Sequence, residues 1–456
     1  MAELIKRKKA LSVRPLKSGQ PTGAALAFQG IRNAIPMLHG SQGCTAFTKV
    51  FFVRHFRDPI PLQTTAMDQV STVMGGDDNV ITGLKTIAEG GQAQVIGLIT
   101  TGLTEVQGSD IHRLVRTFKE RYPELSKKVT IVPVNAADFK GSMESGFAKA
   151  VYRLIDVALK EYTTEVVEWA KSPFINVLPG SHLTPGDLDA LKRYIRAFDL
   201  DPLLLPDISR SLDGHLAPGR GSPVSVDGAV MGEYALLPLA RGTLSVGEVM
   251  DISAQFLHER TNVPGFRRPG LMGLAATDWL VSTLKELTGL EVPEWIERDR
   301  ARLQDAMMDT HFSLSNTRVA LAGEPDWLLQ WQPFLAEMGI KTPVVVSSTG
   351  SKGLLESDYD QVKIGDLEDM EEMILALPEQ KRPQLLIGNS HVAEIAGRLN
   401  IPVMRGGYPL YDWVGGQSRI WIGYEGARQT LFEMANTIFH AGAHQLAPYR
   451  SRFAAA

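Results

Sequence analysis

Apolar positions in this chain fall into two alternating kinds of run. Short, unbroken ones at 95–100, 129–134, 174–178, 203–205, 343–346 and 385–388 read as buried strands. Between them, apolar residues recur at helical spacing. Ile111, Leu114, Val115 and Phe118 share one face of a segment over 110–122. Leu188, Leu191, Tyr194 and Ile195 follow Thr184-Pro185, a hydroxyl N-cap with proline at the first helical position. Trp327, Leu328, Trp331 and Leu335 follow the strand-like run 317–323. Longer helical patterns cover 147–169, 271–287, 295–306 and 425–440, and Asp77 or Asp78 caps one carrying Val80, Leu84, Ile87 and Ala88. The Gly-, Pro- and Ser-rich stretch 213–227 predicts a loop.

Strand, helix, strand is the signature of parallel pairing, and it occurs three times. The pattern predicts an α/β chain of three doubly wound, Rossmann-like domains with mainly parallel sheets. They occupy 1–171, 172–270 and 311–456, with connecting helices over 271–310 and a C-terminal helix in the last domain. Ligands of such sheets gather at the carboxyl ends of strands. That directs attention to the loops at Gly102, Asp207, Gly323, Ser347 and Ser390.

Composition narrows the picture. A 456-residue chain that is 44% hydrophobic and 21% charged is ordinary for a folded cytoplasmic protein. Its net charge of −4 argues against nucleic acid or an anionic membrane as the main partner. No apolar run approaches the ~18 residues of a membrane span. The basic cluster at residues 6–9 reads as a solvated arm. No Walker-type loop, dinucleotide fingerprint, HExxH or Gly-x-Ser-x-Gly elbow is present. His440 and His444 stand four apart, two metal ligands without a third, and His391 follows a strand end. No self-contained active site emerges, so the chain is not expected to turn over alone.

One stretch stands apart, His39-Gly40-Ser41-Gln42-Gly43-Cys44, which holds the only cysteine. A single cysteine forms no internal disulfide. Gly40 and Gly43 predict a tight turn that presents the thiol on a loop. The plain reading of such a residue is a small buried hydrophobe. The alternative is a metal-cluster ligand.

That stretch, with Arg54-His55-Phe56-Arg57-Asp58-Pro59, resembles the N-terminal region of nitrogenase molybdenum–iron protein β subunits and their relatives. Gly75, Gly76 and Asn79, the run 100–106, Gly388-Asn389-Ser390, the run 402–409 and the run 423–427 extend the resemblance over nearly the whole chain. It implies a nitrogenase component 1-like fold. Catalytic β subunits present three cysteines to their eight-iron cluster. Here the middle position is Cys44, while the first falls at Gly19 and the third at Gly102. One thiolate kept and two lost resembles the N (β-like) side of the NifE–NifN scaffold branch, which matures the iron–molybdenum cofactor for nitrogen fixation.

The resemblance implies a four-iron four-sulfur (4Fe-4S) cluster shared with a partner subunit. Cys44 is then its metal ligand from this chain, with Gly43 and Gly102 in the cluster surroundings. Such clusters take about four cysteine thiolates, so one cysteine places the site between two chains. The resemblance further implies a NifE-type α-like partner in an α2β2 heterotetramer that holds most of the cofactor precursor. NifB is the implied precursor donor, the nitrogenase iron protein a transient partner docking near 104–110, and the apo molybdenum–iron protein the acceptor. Two other readings stay open: a subunit of a related reductase, of the alternative nitrogenase or protochlorophyllide reductase type, and a cluster-free α/β binding protein.

Overall fold

The structure, a computed structural model, describes residues 1–7, 12–160, 172–216 and 221–443. His444, Lys8, Lys9 and the end of the expected helix over 147–169 lie outside these residues.

The chain opens with strand β1 (Glu3–Lys6) and helix α1 (Gln20–Gln29). Then follow β2 (Ala34–His39), α2 (Gln42–Phe56), β3 (Gln63–Thr64), α3 (Gln69–Met74), α4 (Asp77–Glu89), β4 (Val95–Thr100), α5 (Gly102–Gln107), α6 (Ile111–Arg121), α7 (Pro123–Ser126), β5 (Thr130–Val134) and α8 (Met143–Ala158). Four of these strands form a parallel sheet in the order β3-β2-β4-β5. Strands β2 and β4 are buried at every position, which is why they read as continuous apolar runs rather than alternating ones. Helix α1 packs against β2, β4 and α8. The backbones of α1 and α8 nearly touch: a Cβ on Gly23 would stand 1.8 Å from the Met143 carbonyl oxygen, and one on Gly146 2.0 Å from that of Gln20.

The second sheet, β7-β6-β8-β9, is also parallel. It is built from β6 (Phe174–Pro179), α9 (Pro185–Arg196), β7 (Asp201–Leu204), β8 (Thr243–Val246), α10 (Asp251–Thr261) and β9 (Gly265–Arg268). Helix α9 starts as its sequence predicts, with Thr184 Oγ1 accepting from the Asp187 N–H at 3.0 Å. Helices α11 (Leu274–Thr288) and α12 (Glu294–Leu314) lead onward.

The third unit comprises β10 (Arg318–Gly323), α13 (Pro325–Glu337), β11 (Lys341–Ser347), α14 (Lys352–Glu356), β12 (Gln361–Ile364), α15 (Leu367–Ala376), β13 (Leu385–Gly388), α16 (Ser390–Leu399), β14 (Val403–Arg405) and α17 (Gly423–Ala443). Its sheet has six strands, ordered β1-β12-β11-β10-β13-β14. The edge strand is the N-terminus: Glu3 pairs with Gln361 and Lys6 with Ile364. This corrects the reading of a free basic arm. Arg7 meets Asp366 at 2.8 Å, the Val13 N–H donates to the same carboxylate at 2.8 Å, and Arg14 meets Glu371 at 2.6 Å. The opening residues are thus strapped to the third sheet, although the segment 1–171 reads from sequence as one unit.

Candidate functional site

The two strand ends that carry the sequence motifs lie side by side. β2 and β4 pair in register up to His39 against Thr100, so Gly40 and Thr101 leave the sheet together. His39 fixes both. Its ring is buried, with Nδ1 3.0 Å from Thr65 Oγ1 and Nε2 3.1 Å from Ser109 Oγ. Its carbonyl accepts the hydroxyls of Thr101 and Thr104, each at 3.0 Å. Burial pulls its pKa down to about 4, so the ring is neutral near pH 7 and acts as a strut. Gly40 has a local reason to be glycine, since a Cβ there would stand 2.5 Å from Thr101 Oγ1.

Cys44 is the third residue of α2, not part of a loop. The helix starts at Gln42 after Ser41 and is held by buried Thr45, Thr48, Phe52, His55 and Phe56. The thiol is half-buried, with Ser41 Oγ 3.6 Å from Sγ. The first backbone N–H groups of a helix have no intrahelical partner, and that end carries partial positive charge. Neither Gly40 nor Gly43 has positive φ, so the tight turn expected from sequence is not what places glycine. Around Gly43 the nearest atom to an added Cβ is Ser41 Oγ at 3.9 Å. Among the described residues, no other element excludes a side chain at Gly43.

Gly102 begins α5, capped by Thr101 and Thr104. The segment 104–110, where the resemblance implies docking, is mostly this helix, followed by left-handed Gly108 and by Asp110, which caps α6. A Cβ on Gly102 would stand 3.3 Å from Asp138 Oδ2, and one on Gly19 would stand 1.9 Å from Asp138 Oδ1. The two positions where the resemblance expects absent thiolates therefore face one carboxylate. Asp138 lies on the loop after β5, which is pinned by Ala137 N–H to Gln20 Oε1 at 3.1 Å and Ala136 N–H to Thr100 Oγ1 at 2.7 Å. Sequence reasoning missed Asp138, because no motif or spacing marks it.

The donor set can be tested against a four-iron cluster. Cys44 is the single thiolate, and both nitrogens of His39 are engaged. This chain alone does not meet the requirement for about four thiolates. A one-thiolate share at a subunit boundary does fit. Apolar side chains stand out of the protein in the same region: Phe47 at 70% exposure and Val50 on α2, Val106 at 79% on α5, and Phe139 beside Gly102. Helix α3 adds Val73 and Met74 and is tied to α5 by Gln107 Nε2, which donates to the Ser71 and Thr72 carbonyls at 3.1 and 2.8 Å. Exposed apolar groups on this scale mark an interaction surface.

The other sequence candidates go elsewhere. His391 packs α16 against α2, its ring 6.1 Å from Phe51 and its Nδ1 3.3 Å from the Tyr411 hydroxyl. Asp207 holds the buried Lys192 ammonium at 2.6 Å. The loops at Gly323 and Ser390 border a small cavity where the three sheets meet, lined by Leu26, His182, Glu324, Trp327, Tyr408 and Trp421 among others. Among the described residues no helix is long and apolar enough to cross a membrane.

Comparison with known proteins sets this geometry in a lineage. The family model "Nitrogenase component 1 type Oxidoreductase" matches residues 19–439. A protein of Klebsiella pneumoniae named nitrogenase iron-molybdenum cofactor biosynthesis protein NifN is 40% identical, over 99% of this chain and 96% of its own length. A protein of the same name from Rippkaea orientalis is 41% identical over 98% of each chain. A solved structure titled "Nitrogenase Cp1 at pH 6.5" superposes with a TM-score of 0.88 at 30% identity, covering 98% of both chains.

Proposed function

The chain belongs to the nitrogenase component 1 type oxidoreductase family, and from that premise we propose that it works in biosynthesis of the iron–molybdenum cofactor, as the β-like subunit of the maturation scaffold. The near full-length likeness to proteins named for that role supports the reading. The observation that carries it is the donor count: one thiolate, at a helix start within an exposed apolar surface, with glycine where a catalytic β subunit has its other two. In this reading the chain pairs with an α-like subunit in a heterotetramer and gives Cys44 to a four-iron four-sulfur cluster at the boundary. The partner supplies the remaining thiolates and holds the cofactor precursor. A NifB-type enzyme donates that precursor. The nitrogenase iron protein docks while molybdenum and homocitrate are added, and the finished cofactor passes to the apo molybdenum–iron protein.

When bound, such a cluster supplies one-electron transfer. The work of this chain's residues is positional. The start of α2 sets the thiolate at a positive helix end. Gly43 leaves its backbone open to the partner. The strut His39 holds the ends of β2 and β4 so that Gly40 and Gly102 keep their places.

The test is anaerobic co-purification of the chain with its α-like partner, followed by iron analysis and electron paramagnetic resonance of the reduced complex. The expected result is about four interfacial irons per pair of chains, with an altered cluster signal in Cys44→Ala. A wild-type complex without interfacial iron, or an unchanged signal in the variant, would overturn the ligand role. Failure of the wild-type complex to support cofactor maturation with purified components would overturn the scaffold reading.

A further inference from the structure

The three sheets converge on a group of side chains that the cluster reading leaves unused. Glu144 sits in the first turn of α8, after β5. His182 lies in the turn between β6 and α9. Asp326 is in the first turn of α13, after β10. Each comes from a different sheet and follows the carboxyl end of a strand, where parallel sheets place their ligands. One ligand atom from each lies within 4.8 Å of the others.

The polar bookkeeping around this group is incomplete. Glu144 and Asp326 are 2% and 0% exposed. Among the described residues, neither ring nitrogen of His182 has a hydrogen-bond partner, although both are buried. The Gln330 side chain is 1% exposed, and its Oε1 also lacks a partner. Burial pulls the His182 pKa down to about 3, and the neighbouring Gln330 side chain offsets this only in part. Buried polar atoms are paired in the great majority of cases, so several unpaired ones around a single point call for a group that pairs them.

The carboxylates are already aimed. Glu144 Oε2 accepts from the Asp326 N–H at 3.0 Å and Oε1 from the Trp327 N–H at 3.3 Å. Asp326 Oδ1 accepts from the Glu248 N–H at 2.8 Å and Oδ2 from the Val249 N–H at 3.3 Å. A carboxylate has about four lone-pair sites, so each oxygen keeps one free while the backbone bonds fix its direction. Outer hydrogen bonds of this kind orient metal ligands. Glu248 and Glu324 stand beside the group, and each has an unpartnered oxygen. The facing cation is Lys17, near Glu324. Burial pushes the Glu144 and Glu324 carboxyls up and Asp326 to about 7, so these acids are gathered without enough positive charge to hold them ionised.

The geometry points to a divalent first-row transition-metal site formed by Glu144, His182 and Asp326 at the junction of the three sheets. Two carboxylates and one imidazole balance the charge of a dication and suit manganese, iron, cobalt or zinc over a thiophilic ion. Glu144, His182 and Glu324 also line the small cavity at this junction, which leaves room for water beside an ion. The inference does not depend on the cluster at Cys44.

The experiment uses the full chain, stripped with EDTA and titrated with Co²⁺ in equilibrium dialysis, beside Cys44→Ala, His182→Ala and Asp326→Asn. One cobalt per chain is expected, with visible ligand-field bands and no thiolate charge-transfer band. Cys44→Ala keeps this site, and His182→Ala and Asp326→Asn weaken it at least tenfold. Folding of every sample is checked by circular dichroism. A folded wild-type chain that takes up no Co²⁺ would overturn the site, and so would uptake lost only in Cys44→Ala. Undiminished uptake by folded His182→Ala would overturn it as well. Should the variants not fold, wild type and Cys44→Ala still decide: a stoichiometric, thiolate-free site that raises the melting temperature supports the inference, and its absence refutes it.

Discussion

The Cys44 helix start and the Glu144–His182–Asp326 junction are both built where strands end, yet they are opposite in kind. The first is open: a half-buried thiol, a glycine with empty space around it and apolar side chains facing outward. The second is closed, with two fully buried carboxylates that tie helix starts of different sheets together. An open site with too few donors belongs to an assembly. A closed one with donors left over belongs to the chain. Substitutions at the junction should therefore cost stability, and substitutions at the helix start should cost assembly.

The contrast breaks first at the junction if it breaks at all. Asp326→Ala removes the acceptor for two backbone N–H groups between the second and third units, and about 2–4 kcal/mol of unfolding free energy should be lost in urea titration. A comparable loss is expected for Gly23→Ala, whose methyl would collide with the Met143 carbonyl across the α1–α8 crossing.

The strut under the open site sets a pH dependence. The His39 pKa falls from 6.5 to about 4 in the folded protein because burial disfavours the charged ring. The stability linked to it is thus complete above about pH 6.5 and is lost as pH falls toward 4, by up to about 3 kcal/mol. His39→Gln should flatten that part of the melting-temperature profile between pH 7 and 4.

Smaller effects sharpen the picture from the other side. Gly43→Ala lies in the first turn of a helix with open space around it, and alanine is better there than glycine by up to about 1 kcal/mol. The isolated chain should gain a little stability while association with the partner, read by analytical ultracentrifugation, weakens. Cys44→Ala should change the isolated chain by no more than about 0.5 kcal/mol, although it removes the thiolate.

How legible each region was follows from how its residues are spaced. Strands β4, β5, β6, β10 and β13 are apolar runs between turn residues, and α6, α9 and α13 carry an apolar stripe. Local pattern suffices for these. Helix α1 escaped because nine of its ten residues are buried, leaving no polar face to create a period. Strand β2 was not marked, and β8, β9 and α10 were hidden in a segment rich in mixed polar residues. The cysteine was legible as chemistry but not as structure, since the glycines beside it suggested a turn where a helix begins. The junction was hardly legible. Its residues lie at 144, 182 and 326, so no spacing rule connects them. The one available signal was that each follows a strand end, and only the Gly323 loop was marked on that ground.

The N-terminal strand has a consequence in time. β1 pairs with β12, some 358 positions later. At a synthesis rate of roughly 5–20 residues per second, residues 3–6 wait about 20–70 s for their partner to emerge. Throughout that interval the first sheet can close, but the third has its edge strand and not the neighbour it pairs with. The earliest part of the chain to be made is then among the later ones to find its place, and its docking reports that synthesis has passed β12.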